Sequence, residues 1–183
     1  MRAIRLQNQQ FQLEHNYPIP SVDKDEVLVK VRLAAICGTD LELARGYYDF
    51  DGVPGHEFVG EIASGPEQGQ RVVADINIGC WQCNDCQNGR FHHCSKRSVL
   101  GIKARGGAFS EYVAIPRRNL VAVNSDTSDE IAVLAEPVAA ALRVVEPFEG
   151  KLPKKALVIG AGRLGYLVAQ VLRSFEIEVL VYT

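Results

Sequence analysis

The sequence predicts a mixed fold: a β-rich domain followed by the opening β-α-β of a parallel α/β domain. Three observations predict it. Apolar residues alternate at strand period through the first part of the chain. After Asn124 the period turns helical, where SDTSDEIAVLAEPVAAALRVVE places capping residues ahead of apolar positions at helical spacing. A buried-looking ALVIG, the glycine loop GAGRLG, a helical stretch and a second strand then follow.

Taken in order, EVLVKVRLAAI at 26–36, FVGEIA at 58–63, QRVVADI at 70–76 and AFSEYVAI at 108–115 read as strands divided by Gly, Pro and Asp turns. In ICGTDLEL a strand ends and a short helix begins. Pro137 suits the first turn of a helix, where its missing N–H costs nothing. Pro153 and the lysines at 154 and 155 lead into ALVIG, and after the glycine loop YLVAQVLRSF reads as a helix and EVLVYT as a strand. The expected boundaries are 1–150 for the β-rich domain, with a cysteine lobe at 80–94, and 151–183 for the β-α-β. A β-α-β alone leaves one face and both edges of its parallel sheet uncovered, so 151–183 reads as an incomplete domain.

Composition narrows the function. A hydrophobic content of 47 % supports a packed core, and a net charge of -2 without a basic run offers no footprint for nucleic acid or an anionic membrane. The expected partner is a small molecule. MRAIRLQNQQ lacks the apolar core of a signal peptide, and ALVIGAGRLGYLVAQVL is interrupted by Arg163 and glycines, so the expectation is a soluble cytoplasmic protein. Of five cysteines, four crowd into CWQCNDCQNGRFHHC, a cluster that favours metal thiolates over disulfides in such a setting.

Cys80, Cys83, Cys86 and Cys94 follow C-x2-C-x2-C-x7-C in a segment whose sizeable apolar side chains are Trp81 and Phe91. Such a loop needs a cross-link to hold a shape, and four thiolates make a closed tetrahedral zinc site, which is structural because no position is open to substrate. His92 and His93 read as solvent-facing loop residues outside the site. Cys37 forms part of a second constellation with His56 and Glu57 of PGHEFVG, where Gly55 and Gly60 are expected to let the backbone turn tightly. A catalytic zinc takes three protein ligands and one exchangeable position. Glu136 is the candidate third ligand, with the alternative of an acid favoured by the dipole at a helix start. Gly160, Gly162 and Gly165 form G-x-G-x-x-G between strand and helix, which serves either a dinucleotide pyrophosphate or close helix–strand packing.

In their order and spacing, ICGTD, GHEFVG, the cysteine lobe, GAFSEYV, AEPVAAAL and GAGRLG resemble the zinc-dependent alcohol dehydrogenases of the medium-chain dehydrogenase/reductase superfamily. The resemblance runs the length of the chain. It implies a GroES-like β-barrel catalytic domain followed by a Rossmann doubly wound parallel sheet, truncated here, and hydride exchange between an alcohol or polyol, or its carbonyl, and NAD or NADP. It also implies that Cys37, His56 and Glu136 hold the catalytic zinc, with Glu57 beside or within its ligand set. Thr39 matches the hydroxyl that passes the substrate proton on, and Asp40 the acid that orients the histidine. Glutamate at the third ligand position resembles the polyol and sugar dehydrogenase branch. Gly160, Gly162, Arg163, Leu164 and Gly165 match the cofactor loop.

The sequence departs from the family in three places. Glu42 stands where many relatives have a relay histidine. Thr183 falls near the position of the acid that would read the ribose hydroxyls of NAD, about 20 residues past the loop. The chain is also about half the family's length, so the expectation is that alone it binds the lobe zinc but does not hold nicotinamide productively, activity and homo-oligomeric contacts belonging to a longer protein. Two rivals remain: a non-catalytic zinc-binding protein, and a zinc-free quinone or enal reductase relative.

Overall fold

At the N-terminus, β1 (Ala3–Gln7) and β2 (Gln10–Glu14) pair antiparallel across Asn8 and Gln9, both left-handed at φ 49° and 63°. The sequence reading has no strand here, because this two-residue turn lacks the glycine that usually marks a hairpin. The computed structural model describes residues 1–148 and 150–183. Its contacts divide into two units, Met1–Leu134 and Ala135–Thr183, so the helical stretch expected to close the first domain is grouped with the second.

The first unit is built on the predicted strands. β3 (Glu26–Ala35) runs into helix α1 (Gly38–Ala44), and β4 (Glu57–Ile62) returns antiparallel beside β3. β5 (Arg71–Ala74) extends the sheet next to β4. The chain then makes a short strand β6 (Asn77–Ile78), a lobe containing α2 (Asn84–Gln87) and a 3-10 turn (Phe91–His93), and β7 (Ser98–Val99), which pairs with β6 to close the lobe's base. β8 (Tyr112–Pro116) and β9 (Leu120–Ala122) complete a five-stranded sheet in the order β8-β3-β4-β5-β9. One face buries Val27, Val29, Phe58, Ile62, Leu100 and Ile115. Each such side chain contributes about 1.5–3 kcal/mol. The other face of β4 presents Val59 to Ala132 and Val133, which belong to and follow α3 (Asp129–Ala132). With both faces covered, five of the six residues of β4 are buried, Glu57 among them, and Glu61 is half-buried.

Two expectations are corrected here. Residues 108–111 lie outside β8: Gly107, Ala108 and Phe109 donate their amides to Val53, Gly55 and Pro54 carbonyls, and Phe109–Glu111 then pair with Arg2–Ile4 through a single antiparallel bridge at Ser110 before the ladder of β8 begins. Gly60 makes no turn either. It lies within β4, where a Cβ would stand 2.4 Å from Val29 Cγ1, so it serves the close approach of β3.

In the second unit, α4 (Ala135–Leu142) has Pro137 in its first turn, as the sequence suggests. β10 (Lys155–Ile159), α5 (Arg163–Ser174) and β11 (Glu178–Tyr182) follow, the two strands parallel with Leu157 opposite Leu180 and Ile159 opposite Tyr182. Val158, Ala169, Leu172 and Ile177 form the core of this unit. Leu157, Ile159, Leu180 and Tyr182 are exposed, the uncovered face that a lone β-α-β must carry.

Candidate functional site

The register of β3 and β4 assembles the first site. Ala35 faces Glu57 across the ladder, so Cys37, two residues past Ala35, meets His56 and Glu57 at the start of β4. One ligand atom from each of Cys37, His56 and Glu57 lies within 4.8 Å of the others. His56 and Glu57 are buried and Cys37 is half-buried.

Asp40 is the hub. It is 0 % exposed, accepts the Cys37 N–H at 2.8 Å through Oδ2 and the Gly55 N–H at 3.2 Å through Oδ1, and sets Oδ1 3.4 Å from His56 Nδ1. One carboxylate thus fixes the entry to α1, the loop before β4 and the histidine ring. With Nδ1 turned to Asp40, a ligand role falls to Nε2. Gly55 is required in this loop: its φ is +96°, and a Cβ would stand 2.5 Å from Phe109 Cδ1. The GAFSEYV motif therefore acts by packing against the turn that delivers His56, a role that spacing did not reveal.

Thr39 Oγ1 lies 3.7 Å from Cys37 Sγ. Burial pushes the Cys37 thiol above its ordinary value, against hydrogen bonding from Thr39 that lowers it, and Glu57 pushes it further up. Ionising this thiol therefore calls for a cation, which fits a metal ligand. Glu42 lies apart, its carboxylate accepting Arg45 Nη1 at 2.6 Å on an exposed face of α1. Glu136 is in the first turn of α4, in the other unit.

The second site is the lobe, where Cys80, Cys83, Cys86 and Cys94 place their ligand atoms within 4.8 Å of one another. All five cysteines of the chain are free thiols. Amides of Gln82 and Cys83 pull the Cys80 thiol down to about 6, whereas burial pushes Cys86 up to about 12. Four such thiols ionise together only around a cation, so the donor set fits a closed tetrahedral zinc. His92 turns to Asp75 instead, Nε2 to Oδ2 3.4 Å, and His93 is exposed.

In the glycine loop, Gly160 has φ +99° and a Cβ on Gly165 would stand 2.1 Å from Gly160 O, so these two serve the strand-to-helix turn and its packing. Gly162 caps α5, and a Cβ there would meet no described atom within 4 Å. Arg163, Leu164 and Thr183 are exposed, Thr183 just beyond β11. The cavity between Tyr17–Ser21 and Arg105–Gly107, about 460 Å³, takes its lining from neither metal cluster. No helix among the described residues is long and apolar enough to cross a membrane.

A curled five-stranded sheet carrying two clusters of side chains that could hold a metal, followed in sequence by a β-α-β with a glycine-rich turn, points to the class. Residues 23–125, more than half the chain, match the alcohol dehydrogenase GroES-like domain, and the chain belongs to that family. It is 38 % identical to the L-threonine 3-dehydrogenase of Chelativorans sp. (strain BNC1), with 91 % of this chain and 51 % of that protein aligned. A crystal structure of an alcohol dehydrogenase (rspB) from Escherichia coli CFT073 with NADH superposes at TM-score 0.90 and 33 % identity over 99 % of this chain and 56 % of that one. A structure described as a zinc-binding dehydrogenase from Sinorhizobium meliloti 1021 bound to NADP gives TM-score 0.89 and 30 % identity, covering 100 % and 56 %. The chain spans about half the length of the curated relatives it matches.

Proposed function

We propose that this sequence carries the metal-binding part of a zinc-dependent oxidoreductase that moves hydride between an alcohol or polyol, or the corresponding carbonyl, and NAD or NADP. The activity is proposed for a protein of the relatives' length that contains it. One observation carries the reading: Cys37, His56 and Glu57 converge within 4.8 Å beside the Thr39 hydroxyl. Sulfur, imidazole and carboxylate together suit a catalytic zinc, and the four-thiol lobe suits a structural one. Zinc held by Cys37 and His56, with Glu57 beside or among the ligands, supplies Lewis acidity that acidifies an alcohol hydroxyl or polarises a carbonyl.

The protein's own residues do the rest. Asp40 holds the His56 ring and the Cys37 backbone in one geometry. Thr39 takes up the substrate's proton and passes it outward. The proton then leaves through Glu42 or through water, and an unchanged pH–rate profile in Glu42→Gln removes Glu42 from the path. Glu136 is proposed as a further zinc ligand on the family resemblance. Gly160, Gly162, Arg163, Leu164, Gly165 and Thr183 are proposed to face the cofactor. The open space at Gly162 supports this, since no described side chain fills it. A nicotinamide bound there supplies the hydride acceptor or donor.

The substrate is proposed to be a small polar alcohol, with L-threonine the first to try because a relative bears that name. A cytoplasmic location belongs to the same reading, supported by the five free thiols, and a homo-oligomer is proposed on the family resemblance. The test uses protein of the relatives' length loaded with zinc and assayed with NAD and NADP on L-threonine and polyols. Two zinc ions per chain are expected, and Cys37→Ser should remove one of them together with turnover. Turnover that survives Cys37→Ser and chelation would sink the proposal.

A further inference from the structure

We infer that an aromatic stack, Arg118–Trp81–Phe91–His92, is a clasp that retains the metal of the four-cysteine lobe, with Arg118 as its positioning residue. The inference rests on reading the lobe as a zinc site. Arg118 Cζ lies 4.9 Å from the Trp81 ring centroid, Trp81 and Phe91 centroids are 4.9 Å apart, and Phe91 and His92 are 3.9 Å apart. His92 Nε2 then meets Asp75 Oδ2 at 3.4 Å, and its carbonyl accepts Arg97. Both ends of the row belong to the sheet domain: Arg118 sits in the 3-10 turn between β8 and β9, and Asp75 directly follows β5. The middle belongs to the lobe. The stack therefore runs from the sheet, across the metal loop, and back.

Trp81 does not hold this place by local preference. Its φ is +59°, a left-handed conformation costly for a bulky side chain, and its Nε1 is buried with no hydrogen-bond partner among the described residues. Two things oppose those costs: Cys80 and Cys83 on either side of the turn, and the stack. The stack and the ligands also share a close neighbour in Gly79, where a Cβ would lie 3.0 Å from both Cys86 Sγ and Phe91 Cβ. Opening the cluster between Cys80 and Cys83 moves Trp81, and moving Trp81 means pulling it away from Arg118. Arg118 thus bears on metal release without touching the metal, and metal loss frees Trp81.

Trp81 is the one tryptophan of the chain, so its fluorescence reports on the clasp directly. The experiment uses the full zinc-loaded chain in a Cys37→Ser background, which leaves the lobe as the remaining zinc site, with release followed by a chromogenic chelator. Arg118→Ala should speed release by roughly 3- to 30-fold, the factor a cation over an indole face is worth. It should also red-shift Trp81 emission while zinc is still bound. Arg118→Lys, which keeps the cation, should recover most of the retention. Arg117→Ala should release zinc at the parent rate, since Arg117 pairs with Glu67 and not with Trp81. Equal rates in Arg118→Ala and its parent would overturn the clasp, as would an equal acceleration in Arg117→Ala, which would mean general loosening. A parent that retains no lobe zinc would instead overturn the zinc reading beneath it.

Discussion

The two ligand clusters of the first unit are built in opposite ways. The lobe draws four like donors from one short segment, shaped by a four-residue helix, a 3-10 turn and a two-residue ladder at its base. The Cys37 cluster draws unlike donors from the end of one long strand and the start of its neighbour, and a buried carboxylate fixes them. A loop with so little core of its own leans on a metal to hold its shape. The ends of two interior strands that already have a core can hold a mixed and reactive donor set in place, with a hydroxyl beside it. On the proposed zinc reading, the difference separates a metal that shapes its loop from a fold that shapes its metal site.

That contrast can be broken at either end. Cys86→Ala should have the largest effect, removing one zinc per chain and loosening the lobe, read by metal analysis and by Trp81 emission, while the Cys37 cluster keeps its zinc. Gly55→Ala should act in the other direction. A Cβ 2.5 Å from Phe109 Cδ1 at φ +96° should cost about 2–4 kcal/mol of stability in thermal unfolding and displace His56, with lobe zinc retained. Asp40→Asn should be milder: about 10- to 100-fold weaker zinc binding at Cys37 in a chelator competition, with the lobe unaffected. If Asp40→Asn weakened both sites alike, the two clusters would not be independent.

The same contrast decides what the sequence makes legible. C-x2-C-x2-C-x7-C states the lobe outright, because its donors are local and their spacing is the geometry. Cys37 and His56 are legible as residues but not as neighbours, since their meeting depends on the Ala35–Glu57 register, which only the long-range ladder sets. GAFSEYV shows β-type alternation yet its first residues dock on Pro54 and Gly55 and bridge to β1 rather than extending β8, tertiary contacts that the local pattern does not show. The opening hairpin is hidden because Asn8 and Gln9 take up the left-handed turn without glycine. Clasp residues Arg118 and Asp75 carry no signal at all. They lie outside the cysteine motif, and only the fold sets them at the ends of Trp81 and His92.

The smallest effect concerns how unequal four chemically identical donors become. In metal-free chain, amides from Gln82 and Cys83 hold the Cys80 thiol down to about 6, and burial holds Cys86 up to about 12. A depressed thiol favours the folded lobe when ionised. Its contribution is therefore fully present above the ordinary value of 9.0, and is lost as pH falls through about 6. Cys86 has the opposite sign: held protonated by burial, it favours the folded lobe below the ordinary value of 9.0 and loses that contribution as pH rises toward about 12. Iodoacetamide labelling read by peptide mass should then find Cys80 alkylated first, with a half-maximal rate near pH 6, and Cys86 last at every pH between 6 and 9. Addition of zinc should protect both. If all four labelled together with a midpoint near the ordinary thiol value, the metal-free lobe would be unfolded, and its fold would come entirely from the metal. That outcome would widen the difference from the Cys37 cluster, which the sheet holds together by itself.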